Sequence, residues 1–161
     1  MDSTAIRFRV GTPEDDEVIA GHFYRLWQDL EVSEADIQPD WRPICLEFIT
    51  QARRSLYYQA VIAEIDRVVV GSVSGQLFDG LYPAVLAPQY RQYGYIWGVY
   101  VEPAYRQRGI ATQLTRQMVD SLKRLGCTKV VLNAAPAARS LYVRLGFGDS
   151  NLMELDLTPP E

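Results

Sequence analysis

Two cysteines, Cys45 and Cys127, and one histidine, His22, are all that occur in 161 residues. Neither cysteine has metal-type spacing around it, and two are too few to staple a small domain in an oxidising compartment, so a reducing one is expected. Long apolar runs are also missing, and none nears the ~18 residues that a helical membrane span requires. The first seven residues, Met1 to Arg7, contain no apolar stretch of signal-peptide length. Basic charge is in short supply: 16 Lys and Arg against 20 Asp and Glu leave a net charge of -4. A nucleic-acid binder usually carries a basic face, so that class is disfavoured. These absences lead us to expect a cytoplasmic, soluble, single domain spanning 1–161, with no metal and neither nucleic acid nor membrane as a partner.

The remaining composition is ordinary for a globular chain: 48% hydrophobic and 22% charged. Ile6, Phe8 and Val10 alternate with Arg7 and Arg9, the period of a half-buried strand. Thr12 and Pro13 then read as a helix start, followed by Val18, Ile19, Phe23, Leu26 and Trp27 at helical spacing. The acidic stretch from Glu31 to Asp40 reads as a loop, and a second helix is expected over 44–54. Residues 57–64 and 68–78 form a strand pair around the turn at Ile65-Asp66-Arg67. A long loop over 79–93 carries Tyr82, Tyr90 and Tyr93. The strand at 95–101 stops at Pro103. After Gly109 comes a helix with Ile110, Leu114, Met118 and Leu122 four apart, ended by Gly126. A strand at 129–133, a short helix at 136–145, a last strand at 151–157 and a short Pro-rich tail complete the order.

Chemistry concentrates between Gly94 and Phe147. A turn that delivers a strand into a helix leaves backbone N–H groups without partners. With the helix dipole they form an anion site suited to a phosphate or pyrophosphate. Here the turn is Arg106-Gln107-Arg108-Gly109-Ile110-Ala111, where Gly109 permits close backbone approach and the arginines add charge. An ordinary helix start with solvated arginines would look the same. The second element is Ala138-Arg139-Ser140-Leu141-Tyr142-Val143-Arg144-Leu145-Gly146-Phe147, set beyond the helix and another strand.

Together these resemble the Gcn5-related N-acetyltransferase family. Its pattern is a strand, R/Q-x-x-G-x-G/A, a helix, a second strand and A-x-x-L-Y-x-x-x-G-F. The resemblance implies an α+β, three-layer fold. Its mixed, mostly antiparallel sheet would have six to seven strands and about four flanking helices, with the fourth and fifth strands splayed. It implies acetyl-CoA as co-substrate. The pyrophosphate would sit on Arg106, Gln107, Arg108, Gly109, Ile110 and Ala111, helped by the Thr112 hydroxyl. Pantetheine would run along the backbone of Val99 and Val101. The backbone near Val99 or Tyr100 would face the thioester carbonyl. Asn133, Ala138 and Arg144 complete the cofactor positions it implies. Tyr142 falls where relatives keep the general acid for the departing thiolate, although Leu141 and Leu145 beside it suit a plain core helix.

Two positions depart from the pattern. Many relatives carry a carboxylate in the strand before the turn, where this chain has Trp97 and Gly98. The general base is therefore unassigned, and Glu102 at the strand's end reads as a bystander. Ala135 stands where many relatives have Asn. His22 reads as a packed or surface residue, and Cys127 as core.

The acceptor would approach past Asp29, Glu31, Glu34, Asp36 and Asp40, with Trp27, Trp41, Tyr82, Tyr90 and Tyr93 nearby. A cationic small-molecule amine is one reading of that set, and a solvated acidic loop is the other. Against acetyl transfer to a small primary amine stand two alternatives: a non-catalytic acyl-CoA sensor of the same fold, and a protein or peptide N-acetyltransferase. Homodimerisation is a further expectation by analogy alone.

Overall fold

A computed structural model describes residues 5–80 and 82–158; Pro159 and Pro160 of the Pro-rich tail lie outside the described residues. Five strands form one sheet in chain order: β1 (Arg7–Val10), β2 (Gln59–Ile65), β3 (Val68–Leu77), β4 (Tyr93–Val101) and β5 (Lys129–Val131). The first four are mutually antiparallel, and β5 joins β4 in parallel. The helices are α1 (Asp16–Asp29), α2 (Trp41–Ser55), α3 (Ile110–Arg124) and α4 (Arg139–Arg144).

The period of two along β2 sorts its side chains onto two cores. Ala60 and Ile62 turn toward α1 and α2 and meet Ile19, Ala20, Ile49 and Ala52. Val61, Ala63 and Ile65 turn the other way, to Ile110, Leu114, Met118 and Leu122 of α3. The result is the three layers expected. Helix α3 sits low on β3 because Gly71 and Gly75, on either side of the buried Val73, put no side chain beneath it. A Cβ on Gly75 would lie 2.3 Å from Met118 Sδ, and one on Gly71 would lie 2.9 Å from the Tyr100 carbonyl oxygen.

Several boundaries differ from expectation. Helix α2 begins at Trp41 rather than 44 and carries Pro43 in its first turn, where a missing N–H costs nothing. The first helix is preceded by a 3₁₀ turn, Pro13–Asp15, in which the Thr12 N–H donates to Asp15 at 2.8 Å. Strand β5 stops at Val131 rather than 133. The strand expected at 151–157 is absent, so the described sheet has five strands rather than six to seven. The segment is irregular and exposed. Its backbone turns to local partners instead of a ladder: the Leu152 N–H donates to Ser150 Oγ and the Thr158 N–H to Asp156 Oδ1.

Candidate active site

Strands β4 and β5 stay paired only from Tyr93↔Lys129 to Tyr95↔Val131. Beyond Tyr95, β4 runs six residues further to Val101 while the chain after Val131 leaves the sheet. The opening is therefore flanked by Ile96–Val99 on one side and Leu132–Ala135 on the other, and all eight residues line a cavity of about 900 Å³. A β-bulge sits at this place: Ser72 opposes Tyr100 and Ser74 opposes Trp97, so β4 has one residue more than β3. Gly98 absorbs it at φ +65. The extra residue breaks the regular ladder beside the opening.

At the far end of β4 the chain makes the turn singled out in the sequence. Gln107 and Gly109 both take left-handed conformations, φ 64 and φ 76. A Cβ on Gly109 would meet nothing within 4 Å, so the space beside its backbone lies open. Helix α3 starts there, and the Gln113 N–H donates back to the Gly109 carbonyl. The N–H groups of the preceding first turn are free for an anion, as at any helix start. Such free N–H groups are the kind that hold an anion, and the opening between β4 and β5 lies beyond them.

The two arginines of the turn behave differently. Arg106 Nε donates to the Val101 carbonyl at 2.8 Å, and its Nη2 pairs with Asp29 at 2.7 Å. Its guanidinium also lies 5.4 Å from the Tyr100 ring centre. It braces the turn against β4 and the end of α1. Arg108 rests over Tyr105 and forms no ion pair among the described residues. Ile110 is buried under α3, while Ala111 and Thr112 are partly covered at its start.

Tyr142 of α4 is buried and lines the cavity, with its ring edge-on to Phe147 at 5.8 Å. Its hydroxyl makes no hydrogen bond among the described residues, and burial pushes its pKa above the ordinary phenol value. A phenol kept neutral and unengaged at a cavity wall is able to give up a proton to a neighbouring anion. Ala138 and Asn133 also line the cavity, and Asn133 Nδ2 donates to the Tyr95 hydroxyl at 2.8 Å. Val99 lines it too, whereas Tyr100 and Val101 are buried beneath. Arg144 is placed elsewhere, lining a separate hollow of about 230 Å³ with Arg116 and Asp120 of α3.

Of the residues expected toward the acceptor, Trp27, Trp41 and Asp36 line the cavity. Asp29 does not, being paired with Arg106, and Glu31, Glu34 and Asp40 are likewise absent from the walls. Tyr82 and Tyr93 flank Arg91 instead, at 5.2 and 4.4 Å, and Tyr90 is exposed. Tyr24, Ile44 and Phe48, which were not among the expected residues, complete the wall. The spacing of Trp41, Ile44 and Phe48, three then four apart, places them on one face of α2 and was the available signal. Cys45 on the same helix has its thiol pushed up to about 11 by burial, which makes it a poor nucleophile.

Glu102 lies outside the cavity, and its contacts are structural. Its carboxylate takes Arg25 at 2.8 Å and faces His22 Nε2 at 3.3 Å. His22 is fully buried and also hydrogen-bonded through Nδ1 to Ser72 Oγ at 2.7 Å. Cys127 is half-buried and packs against the α3 core. No group of three or more His, Cys, Asp or Glu suited to a metal occurs among the described residues. No helix among them is long and apolar enough to cross a membrane.

Comparison with known proteins agrees with this geometry. A segment of 54 residues is 37% identical to a probable glucosamine 6-phosphate N-acetyltransferase 2 from Oryza sativa subsp. japonica, covering 34% of this chain and 32% of that protein. The chain thus spans about a third of the length of the curated relatives it matches first. Among solved structures, a predicted acetyltransferase with acetyl-CoA from Clostridium acetobutylicum superposes with a TM-score of 0.80. It is 22% identical, with 95% of this chain and 97% of that one covered. A GCN5-related N-acetyltransferase from Ralstonia eutropha JMP134 reaches 0.78 at 19% identity, covering 95% and 99%. The model of the acetyltransferase (GNAT) family matches residues 14–147, and this chain belongs to that family.

Proposed function

We propose that the chain is an N-acetyltransferase that moves an acetyl group from acetyl-CoA to the primary amine of a small molecule by direct attack on the thioester. The observation that carries this reading is the parting of β4 and β5 after Tyr95 and Val131, with Tyr142 lining the space between them. Acetyl-CoA supplies the activated acyl group. The turn from Arg106 to Ala111 binds its pyrophosphate through backbone N–H groups, and Arg106 holds that turn in shape. The bulge at Gly98 and Val99 orients backbone N–H toward the thioester oxygen, where negative charge develops as the amine adds. Tyr142 then gives its proton to the departing thiolate. The amine must lose a proton before attack, and Asp36 is the sole carboxylate on the cavity wall among the described residues. Deprotonation through water reaching that wall is the route this leaves.

The test is a thiol-release assay with acetyl-CoA and a panel of amines. Release of CoA that depends on both substrates, with a mass gain of one acetyl group on the amine, supports the reading. Saturable acetyl-CoA binding with no release from any amine points instead to the acyl-CoA sensor. A peptide acceptor with no small-molecule turnover points to protein acetylation.

A further inference from the structure

The acceptor half of the cavity has a chemical character that the transferase reading does not specify, and the acceptor class inferred from it rests on that reading. Its walls come from α1, α2 and the middle of β4. Phe23 and Phe48 meet Trp97 edge-on at 5.0 and 5.6 Å, and Trp27 closes against Phe23 at 5.9 Å. Tyr24 and Trp41 stack at 4.3 Å beside them. Trp97 Nε1 donates to Gln76 Oε1 at 3.0 Å, so its one polar group is already engaged and its ring gives the cavity carbon surface alone. At the mouth, Phe48, Ile44, Trp27 and Leu30 are 50%, 45%, 41% and 41% exposed, a cluster of apolar surface that an isolated chain rarely shows without use.

Polar groups are correspondingly few. No Lys or Arg lines the cavity among the described residues, and Asp36 is the sole carboxylate. A sugar phosphate entering here would leave its phosphate without a cation and its hydroxyls mostly unpaired. A polyamine would bring two or more further charges to one carboxylate. An amine carried on a flat or branched hydrocarbon body would instead cover the exposed aromatic surface and present its nitrogen toward the gap. We infer that the acceptor is a primary amine on a compact apolar body, of the arylalkylamine class, and not an amino-sugar phosphate or a polyamine.

All three tryptophans of the chain, Trp27, Trp41 and Trp97, line this cavity, so intrinsic fluorescence reports on it directly. The experiment titrates the CoA-saturated protein with phenethylamine and follows tryptophan emission. It then compares kcat/KM for phenethylamine, glucosamine 6-phosphate and spermidine by thiol release. The expected result is saturable quenching by phenethylamine and a preference of about 100-fold or more for it over the other two. Phe48→Glu, at a half-exposed position, should raise KM for phenethylamine about tenfold and leave acetyl-CoA affinity unchanged. Preferred turnover of glucosamine 6-phosphate or spermidine overturns the inference and leaves the transferase reading intact. Quenching by phenethylamine with no turnover of any amine sinks the transferase reading and, with it, the assignment of an acceptor to this cavity. Absence of both quenching and turnover overturns both.

Discussion

Tyr95 of β4 and Val131 of β5 are the last residues at which the two parallel strands stand opposite one another. One residue later the chain leaves the sheet toward Ala134, while β4 continues with one side of its backbone unpaired. Buried backbone N–H and C=O groups without partners are costly. A gap of this kind persists when something extended fills it, and the pantetheine arm of acetyl-CoA offers alternating amide groups for that purpose.

The bulge beside the gap gives a first prediction. Gly98 has φ +65, and a Cβ there would touch only Phe23 Cδ2 at 3.7 Å. Backbone conformation, not space, therefore opposes a side chain. Gly98→Val should cost about 1–2 kcal/mol of stability and lower kcat by more than that strain alone accounts for, because the strand straightens where it should present N–H. Thermal unfolding and kcat measured on the same preparation check this; equal kcat with normal stability would contradict it.

Tyr142 yields a second. Its hydroxyl has no partner within the described protein, so Tyr142→Phe should leave the unfolding temperature unchanged. If the phenol protonates the thiolate, kcat should fall about 10²-fold with the KM for acetyl-CoA unaffected. Unaltered kcat between pH 6 and 9 would remove Tyr142 from the mechanism.

Arg106 and Asp29 supply a third, which separates bracing from direct contact. With Arg106 Nη2 2.7 Å from Asp29 and Nε on the Val101 carbonyl, the guanidinium acts through the turn. Asp29→Asn should then weaken acetyl-CoA binding, in the same direction as Arg106→Ala and by less. Were Arg106 instead a pyrophosphate ligand restrained by Asp29, the Asn variant would bind more tightly. Calorimetric dissociation constants for the two variants distinguish these cases.

His22 sets a pH dependence. Burial holds its pKa down to about 4, against a partial pull upward from Glu102, with Arg25 opposing. The unfolded chain takes up this proton near 6.5. Between those values the unfolded state binds more protons, so stability falls as pH drops through the window. The loss should be on the order of 3 kcal/mol from pH 7 to pH 4, and His22→Gln should flatten it. A denaturation midpoint that is level from pH 7 to pH 4.5 in the parent chain would contradict this pairing.

Much of this site was legible in the sequence. Gly109, Tyr142 and the four-residue spacing of Ile110, Leu114, Met118 and Leu122 are local signals, and each element formed where that spacing put it. What escaped was set by partners distant in the chain. Arg106 reads as a free cation until Asp29, 77 residues earlier, is seen to hold it. Glu102 reads as incidental until His22 and Arg25 are brought against it. The segment at 151–157 alternates as a strand should, but alternation needs a neighbouring strand to pair with, and that is decided by tertiary structure. Of the acidic loop's carboxylates Asp36 alone reaches the cavity wall, in keeping with the solvated reading of that loop, while Phe48 and Ile44 of α2 shape the wall through contacts the loop's charge does not announce.

The most direct measurement is calorimetric titration of the purified protein with acetyl-CoA, run in parallel on Ala138→Trp. Ala138 lines the cavity and is not one of the packed core residues, so an indole there is aimed at the proposed path of the arm. The expected result is saturable one-to-one binding by the parent chain and loss of at least about tenfold in affinity in the variant, with both equally folded. No binding by the parent, or identical affinity in the two, would contradict the claim that the gap between β4 and β5 holds the acyl donor.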